Sequence, residues 1–352
     1  MGVCGSDLVR QGEEPCADFR GSFDADRTTE AGQRPRQHVR VSPSDVRCGP
    51  TSDQEMSTLA GSVVVMERHV LTIPTQGPFN LRRSALVGFG HRAESGFDGV
   101  MRLAFTVDGT HEQTAGVAVR QDGDELHLTI QTDADPQRVA DQVARVLSVH
   151  VDGTGFADLA RRDPVAKALY AGADGLRPPQ FHSPYEAAAW SILSARRSAA
   201  QGRVLRQRVS EQLGTAYDVA GERHYAFPSP SRLMTLEHLQ SLPDASIPRL
   251  HGIAAAAVAG DLAPTRRLAM EPEVAREDLQ RLPGIGPFYS ALIVYRALGL
   301  ADVLARIEPG SRAALERLCG ATQPMTDDEF TARAEAWRPY RMWTTFLARA
   351  LG

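Results

Sequence analysis

Lysine is almost missing from this sequence. Lys167 is the single one among 39 basic residues, and the other 38 are arginines. A mechanism that needs a lysine nucleophile therefore has one candidate in the chain. Cysteine is scarce as well: Cys4, Cys16, Cys48 and Cys319 form no CxxC pair. That spacing gives no support to a structural zinc site, an iron–sulfur cluster or a disulfide framework. No run of about 18 apolar residues occurs, so a helical membrane span is excluded. Residues 1–30 lack a basic start followed by an apolar stretch, and a cytoplasmic protein is expected. The formal net charge of −4 argues against a protein that coats nucleic acid by bulk charge. It leaves room for a local basic face.

The 352 residues are enough for two or three domains. Residues 1–55 hold 17 charged residues and no periodic apolar pattern. They read as a disordered tail. Residues 68–150 read as a small α+β domain with an antiparallel sheet. Val100 to Val107, Gly116 to Val119 and Leu126 to Ile130 are its predicted strands, with a turn at Gln121-Asp122-Gly123-Asp124. Asp135-Pro136 opens a helix through Val139, Val143 and Leu147. From about 155 to 352 the strand signal vanishes, and an all-α domain of short helices is expected. There is no internal repeat.

The sharpest local feature is Leu282-Pro283-Gly284-Ile285-Gly286-Pro287-Phe288. Two glycines flanking one apolar residue allow a tight hairpin between helices, with positive φ and close backbone approach at both. Ile285 can tuck into the core. The second helix then begins with unpaired N–H groups at the positive end of its dipole, which suits a phosphate. A plain αα-turn is the competing reading of these seven residues.

This string resembles the hairpin of the helix-hairpin-helix DNA base-excision glycosylase superfamily. Leu298-Gly299, Asp302-Val303 and Glu308-Pro309-Gly310 follow it in the family's order. Glu335-Ala336-Trp337-Arg338-Pro339-Tyr340-Arg341 looks like the terminal helix signature, and Ser183-Pro184-Tyr185-Glu186-Ala187 like the opening helix. The α+β segment resembles the N-terminal domain of the bacterial DNA-3-methyladenine glycosylase II, or AlkA-like, subfamily. The resemblance covers roughly residues 68–352. It implies α+β architecture with a helix-hairpin-helix at about 275–298. It also implies excision of alkylated purines such as 3-methyladenine from duplex DNA by base flipping, in a monomeric, nucleoid-associated enzyme.

Carried over residue by residue, the resemblance puts Glu308 at the place of the catalytic Asp, one methylene longer. A carboxylate there can stabilise an oxocarbenium-like sugar or orient water. Phe288 stands where bifunctional members carry a Schiff-base lysine, which implies no lysine-dependent lyase step. An aromatic there can stack on an electron-poor base. Leu292, Trp343 and Arg349 are the other implied pocket residues, with Leu292 and Arg349 replacing the expected tyrosine and tryptophan. Arg196, beside Ala195, falls at the wedge that fills the gap left by a flipped base, and Arg197 adjoins it. Leu282, Pro283, Gly284, Ile285, Gly286 and Pro287 would face the DNA backbone. No organic cofactor is implied, and a monovalent cation on hairpin carbonyls is allowed.

Other patterns carry less. His182, His224 and His251 make no metal-ligand spacing and read as structural, so no metal site is expected. Arg203 and Arg206 read either as DNA-facing or as partners of Glu211 and its neighbours. The departures at Glu308, Ala195, Leu292 and Arg349 keep two alternatives open. One is a non-catalytic protein that binds damaged DNA on the same scaffold. The other is a glycosylase for a different, bulky lesion.

Overall fold

The computed structural model describes residues 67–87, 96–110, 112–306 and 308–351. The tail expected over 1–55, with Cys4, Cys16 and Cys48, lies outside the described residues. Four strands come first among the described residues: β1 (Arg68–Pro74), β2 (Met101–Thr106), β3 (Thr114–Asp122) and β4 (Glu125–Thr132). They form one antiparallel sheet in the order β1-β4-β3-β2. α1 (Leu81–Val87) lies between β1 and β2, and α2 (Pro136–Val146) follows the sheet. Asp135 caps α2 by accepting from the Gln137 N–H, and Pro136 fixes its first turn.

The strands alternate by size as well as by polarity. Leu103, Phe105, Val117, Val119, Leu128 and Ile130 point to one face and pack with Val139 and Val143 of α2. Ala104, Gly116 and Ala118 point to the other. That second face of small residues is also covered. A two-stranded hairpin, β5 (Ala216–Val219) and β6 (Glu222–Tyr225), lays Tyr217 and Val219 on it. A Cβ on Gly116 would come within 2.7 Å of the Tyr217 ring, so glycine is required there. The Tyr217 hydroxyl shares a 2.6 Å hydrogen bond with Thr114 Oγ1.

β5 and β6 correct the expectation of an all-α second half. Their strands are four residues each, too short for a periodic signal. They turn through Ala220 and Gly221, both at positive φ, as a two-residue hairpin demands.

The remaining elements are helices. They run α3 (Thr154–Arg162), α4 (Pro164–Ala173), α5 (Pro184–Ser194), α6 (Ala199–Leu213), α7 (Pro230–Leu233), α8 (Ile247–Val258) and α9 (Pro264–Leu268). Then come α10 (Pro272–Leu279), α11 (Pro287–Ala297), α12 (Pro309–Leu318), α13 (Asp327–Ala334) and α14 (Arg341–Leu351). Thr326 and Glu329 form a reciprocal capping box on α13. α5 is buried along its whole length and is the axis on which α6, α8 and α11 pack.

Because α5 has no solvent face, its one carboxylate must be satisfied internally. Glu186 is 3% exposed. Its Oε1 accepts from the Thr106 backbone N–H at 3.0 Å. Its Oε2 meets Arg206 Nη2 at 2.7 Å and His182 Nδ1 at 3.1 Å. Burial alone would raise this carboxyl, but His182 and Arg206 outweigh it and hold it down at about 2. Arg206 therefore serves the interior, where its guanidinium also lies over the Phe227 ring. Its acidic partner is Glu186, not Glu211. A neighbouring node joins Arg145 to Asp108 and to the Ala297 and His182 carbonyls. Both nodes tie the end of β2 to the helices, and all the described residues fall in one compact unit.

Replacing Glu186 with alanine should cost about 3–5 kcal/mol, because it leaves Arg206 and His182 buried without their anion. Denaturant unfolding of the variant checks this. In the parent, the carboxyl is depressed on folding, so its contribution is complete above about pH 4.5. It should fade as pH falls toward about 2, and unfolding curves across that interval should show the loss disappear from the Glu186→Ala difference.

Candidate active site

The hairpin connects α10 to α11 through Gln280 to Gly286. Ile285 is 4% exposed and packs in the main core, as its apolar side chain requires. Its N–H donates to the Leu282 carbonyl at 3.0 Å, which closes the turn. Gly284 adopts φ +92°, and a Cβ there would lie 2.6 Å from Ile192 Cδ1 on α5. Gly286 differs from its expectation. It is extended at φ −92° and a Cβ on it would meet nothing within 4 Å. The two glycines thus have different reasons. Gly284 serves the turn and its packing on α5, whereas Gly286 keeps the entrance to α11 open.

Gly286 is the N-cap of α11 and supplies no side chain to it, and Pro287 holds the first helical position. The N–H groups of the first turn have no acceptor within the helix and stand at its positive end. Phe288 is 46% exposed beside them, its ring edge-on to Tyr289 at 5.4 Å. Of the hairpin carbonyls, those of Leu282 and Gly286 accept backbone N–H groups and keep a second lone pair each.

α11 organises the rest. At its start, the Tyr289 hydroxyl lies 3.4 Å from Ser194 Oγ, the last residue of α5. Next in sequence come Ala195 and Arg196, so the hairpin and the arginine loop are neighbours. Arg196 is exposed at φ +57°, a left-handed conformation that costs a non-glycine residue about 1–2 kcal/mol. Arg197 clasps the loop from beneath, donating to the Ala195 carbonyl at 3.0 Å. Near the other end of α11, about 12 Å along the helix from Phe288, sits the buried Arg296. Burial lowers it to about 10, and the charge of Glu308 opposes that shift.

Glu308 is the N-cap of α12 and is 36% exposed. Both its oxygens are held. Ser311 donates to Oε2 at 2.6 Å, and Arg349 Nε lies 2.9 Å from Oε1. Two residues placed in the site by sequence, Glu308 and Arg349, therefore form one ion pair. Gly310 permits it: a Cβ there would fall 1.7 Å from Arg349 Nη1.

The other expected pocket residues pack on the cores. Trp343 is 4% exposed in a core cluster with Phe156 and Tyr340, its ring 5.1 Å from that of Tyr340. Its side chain packs with residues of α3 and α4. Leu292 is partly buried against the main core. Of the terminal signature, Trp337 is fully buried and donates to Asp163 at 3.3 Å, while Arg338 and Arg341 both bind Asp302. Ser311 was not singled out from sequence. Its position three residues after Glu308 was the available signal.

No family model matches the sequence. The DNA-3-methyladenine glycosylase of Bacillus subtilis (strain 168) is 24% identical over 200 residues, 55% of this chain and 66% of that protein. The "Probable bifunctional transcriptional activator/DNA repair enzyme AlkA" of Mycobacterium tuberculosis (strain H37Rv) is 24% identical over 319 residues, 86% of this chain and 61% of that protein. The chain thus spans slightly under two thirds of the length of these curated relatives. The 3-methyladenine DNA glycosylase from Archaeoglobus fulgidus superposes with a TM-score of 0.64 at 18% identity, covering 79% of this chain and 97% of that one. The chain shares the fold of this glycosylase and is similar in sequence to the AlkA and 3-methyladenine glycosylase relatives. The 8-oxoguanine glycosylase/lyase of Clostridium acetobutylicum shares this glycosylase fold, with a TM-score of 0.58 at 15% identity over 81% of this chain and 97% of that one.

The two hairpin glycines of this AlkA-like fold should respond differently to alanine. Gly284→Ala should lower stability by at least about 1 kcal/mol, from the positive φ alone. Gly286→Ala should change it by less than about half as much. Thermal melts of the two variants beside the parent make the comparison.

Proposed function

We propose that the chain is a monofunctional DNA glycosylase that hydrolyses the bond between an alkylated purine and its deoxyribose in duplex DNA. The observation that carries this is the order of groups along α11. An open helix N-terminus and the exposed Phe288 stand at one end, beside the strained Arg196 loop. Arg296, in the field of the Glu308 carboxylate, stands near the other. The names of the relatives support the same reading.

On this reading, the α11 N-terminus takes a DNA phosphate through backbone N–H groups, with no need of lysine. Arg196 enters the stack where the damaged nucleotide has left it, and Phe288 offers an aromatic face to the extruded base. Glu308 lies by the sugar. It stabilises the positive charge that builds as the base departs, and receives the proton of the attacking water. Ser311 and Arg349 fix its two oxygens. Phe288, in place of a lysine, offers no amine for a Schiff base, so strand cleavage does not follow base release.

Purified protein should release free base from duplex DNA that carries alkylated purines, cationic or uncharged, and Glu308→Gln should lose at least about 100-fold in rate. Borohydride should trap no covalent adduct on abasic DNA. Release without any effect of Glu308→Gln would move the chemistry elsewhere. Absence of release, with tight binding to an abasic-analogue duplex, would favour a non-catalytic binder.

Arg196→Ala should weaken binding to an abasic-analogue duplex by about tenfold with little change in melting temperature. Unchanged affinity in a titration would remove Arg196 from the wedge role.

A further inference from the structure

We propose that Arg349 is a specificity-determining residue that turns the site against cationic lesions and toward alkylated purines that are uncharged. The inference rests on the reading of Glu308 given above.

Two observations converge on Arg349. Its Nε is 2.9 Å from Glu308 Oε1, and both side chains are about one-third exposed, so the pair faces the solvent from which a substrate arrives. Its Nη1 lies against Gly310, in the first turn of α12. That is the positive end of the helix, where a cation is disfavoured. Glu308, the N-cap of the same helix, is the anion that holds it there. The carboxylate is thus neutralised by the Arg349 guanidinium, and Ser311 takes its remaining oxygen. A lone carboxylate would give the site a net negative charge. This site has none to offer a cationic base.

The charge balance of the reaction makes this matter. The C1′–N9 bond breaks and its electron pair leaves on N9. A water oxygen bonds to C1′, and the water proton passes to Glu308 and then to solvent or to the base. If the alkylated purine carries a positive ring, the departing pair neutralises it and the base leaves uncharged. A guanidinium nearby repels that substrate as it binds, and once the ring is neutral it offers no stabilisation relative to the free substrate. If the purine is uncharged, the base leaves with a negative charge until it takes a proton. A guanidinium then stabilises the charge that develops, which is where catalytic stabilisation is effective. Arginine keeps its own proton throughout, so it acts by hydrogen bonding and charge.

The test compares base release from two duplexes. One carries N7-methylguanine, a cationic lesion, and the other an etheno adduct of adenine, an uncharged one. The parent, Arg349→Gln and Arg349→Lys are measured on each under single-turnover conditions, after melting curves establish that all are folded. The parent should prefer the etheno adduct. Arg349→Gln should shift the ratio of rates toward N7-methylguanine by about tenfold or more, and Arg349→Lys should keep the parent's preference. Release of both bases with the same ratio in the parent and Arg349→Gln overturns the role of Arg349 while leaving the glycosylase intact. Preference for N7-methylguanine by the parent overturns it as well. Failure of every form to release either base overturns the glycosylase reading, and this inference with it.

Discussion

A carboxylate almost without access to water joins the sheet of this molecule to its helices. Glu186 lies on a helix that is buried on every side, and it is stable there because a backbone N–H, an arginine and a histidine each take part of its charge. The three partners come from three places: the end of β2, the middle of α6, and the segment just before α5. A buried anion of this kind fixes geometry more than it adds stability, since desolvation consumes much of the Coulomb attraction. Here it links the end of β2 to α5 and α6. α5, so fixed, presents Ile192 to the hairpin and ends in the arginine loop.

The sequence revealed most where the physics is local. Strands β2, β3 and β4 announce themselves by alternation, and α2 by its apolar spacing and Asp-Pro start. The edge strand β1 has one half-buried face, Leu71 and Ile73, and no fully buried residue, so its pattern is fainter. The β5–β6 hairpin was illegible because four residues per strand carry no periodicity, and its stability comes from Tyr217 docking on distant small residues. Arg206 reads as one more arginine in a basic run, since nothing near it in sequence marks Glu186 as its partner.

The candidate site divides in the same way. The glycine hairpin is written in seven consecutive residues, although only Gly284 has the positive φ that the sequence suggests for both. Trp343 was out of reach of such reasoning, because the rotation of α14 about its axis decides whether an aromatic faces a cleft or a core. The pairing of Glu308 with Arg349 joins α12 to the last turn of the chain's final described helix. Each residue alone looks like a departure from the family pattern. Together they form one ion pair.

The Gly116–Tyr217 contact reaches beyond packing. Tyr217 belongs to the helical half of the chain, yet it completes the far face of the sheet, and Val219 and Ala226 accompany it. Neither half has a finished surface without the other. A chain cut between them would expose an apolar sheet face on one fragment and an orphaned hairpin on the other. Such a protein cannot exchange its sheet as a detachable module in the course of descent. Its two halves must change in concert, and a substitution at either side of that seam constrains what the other can become.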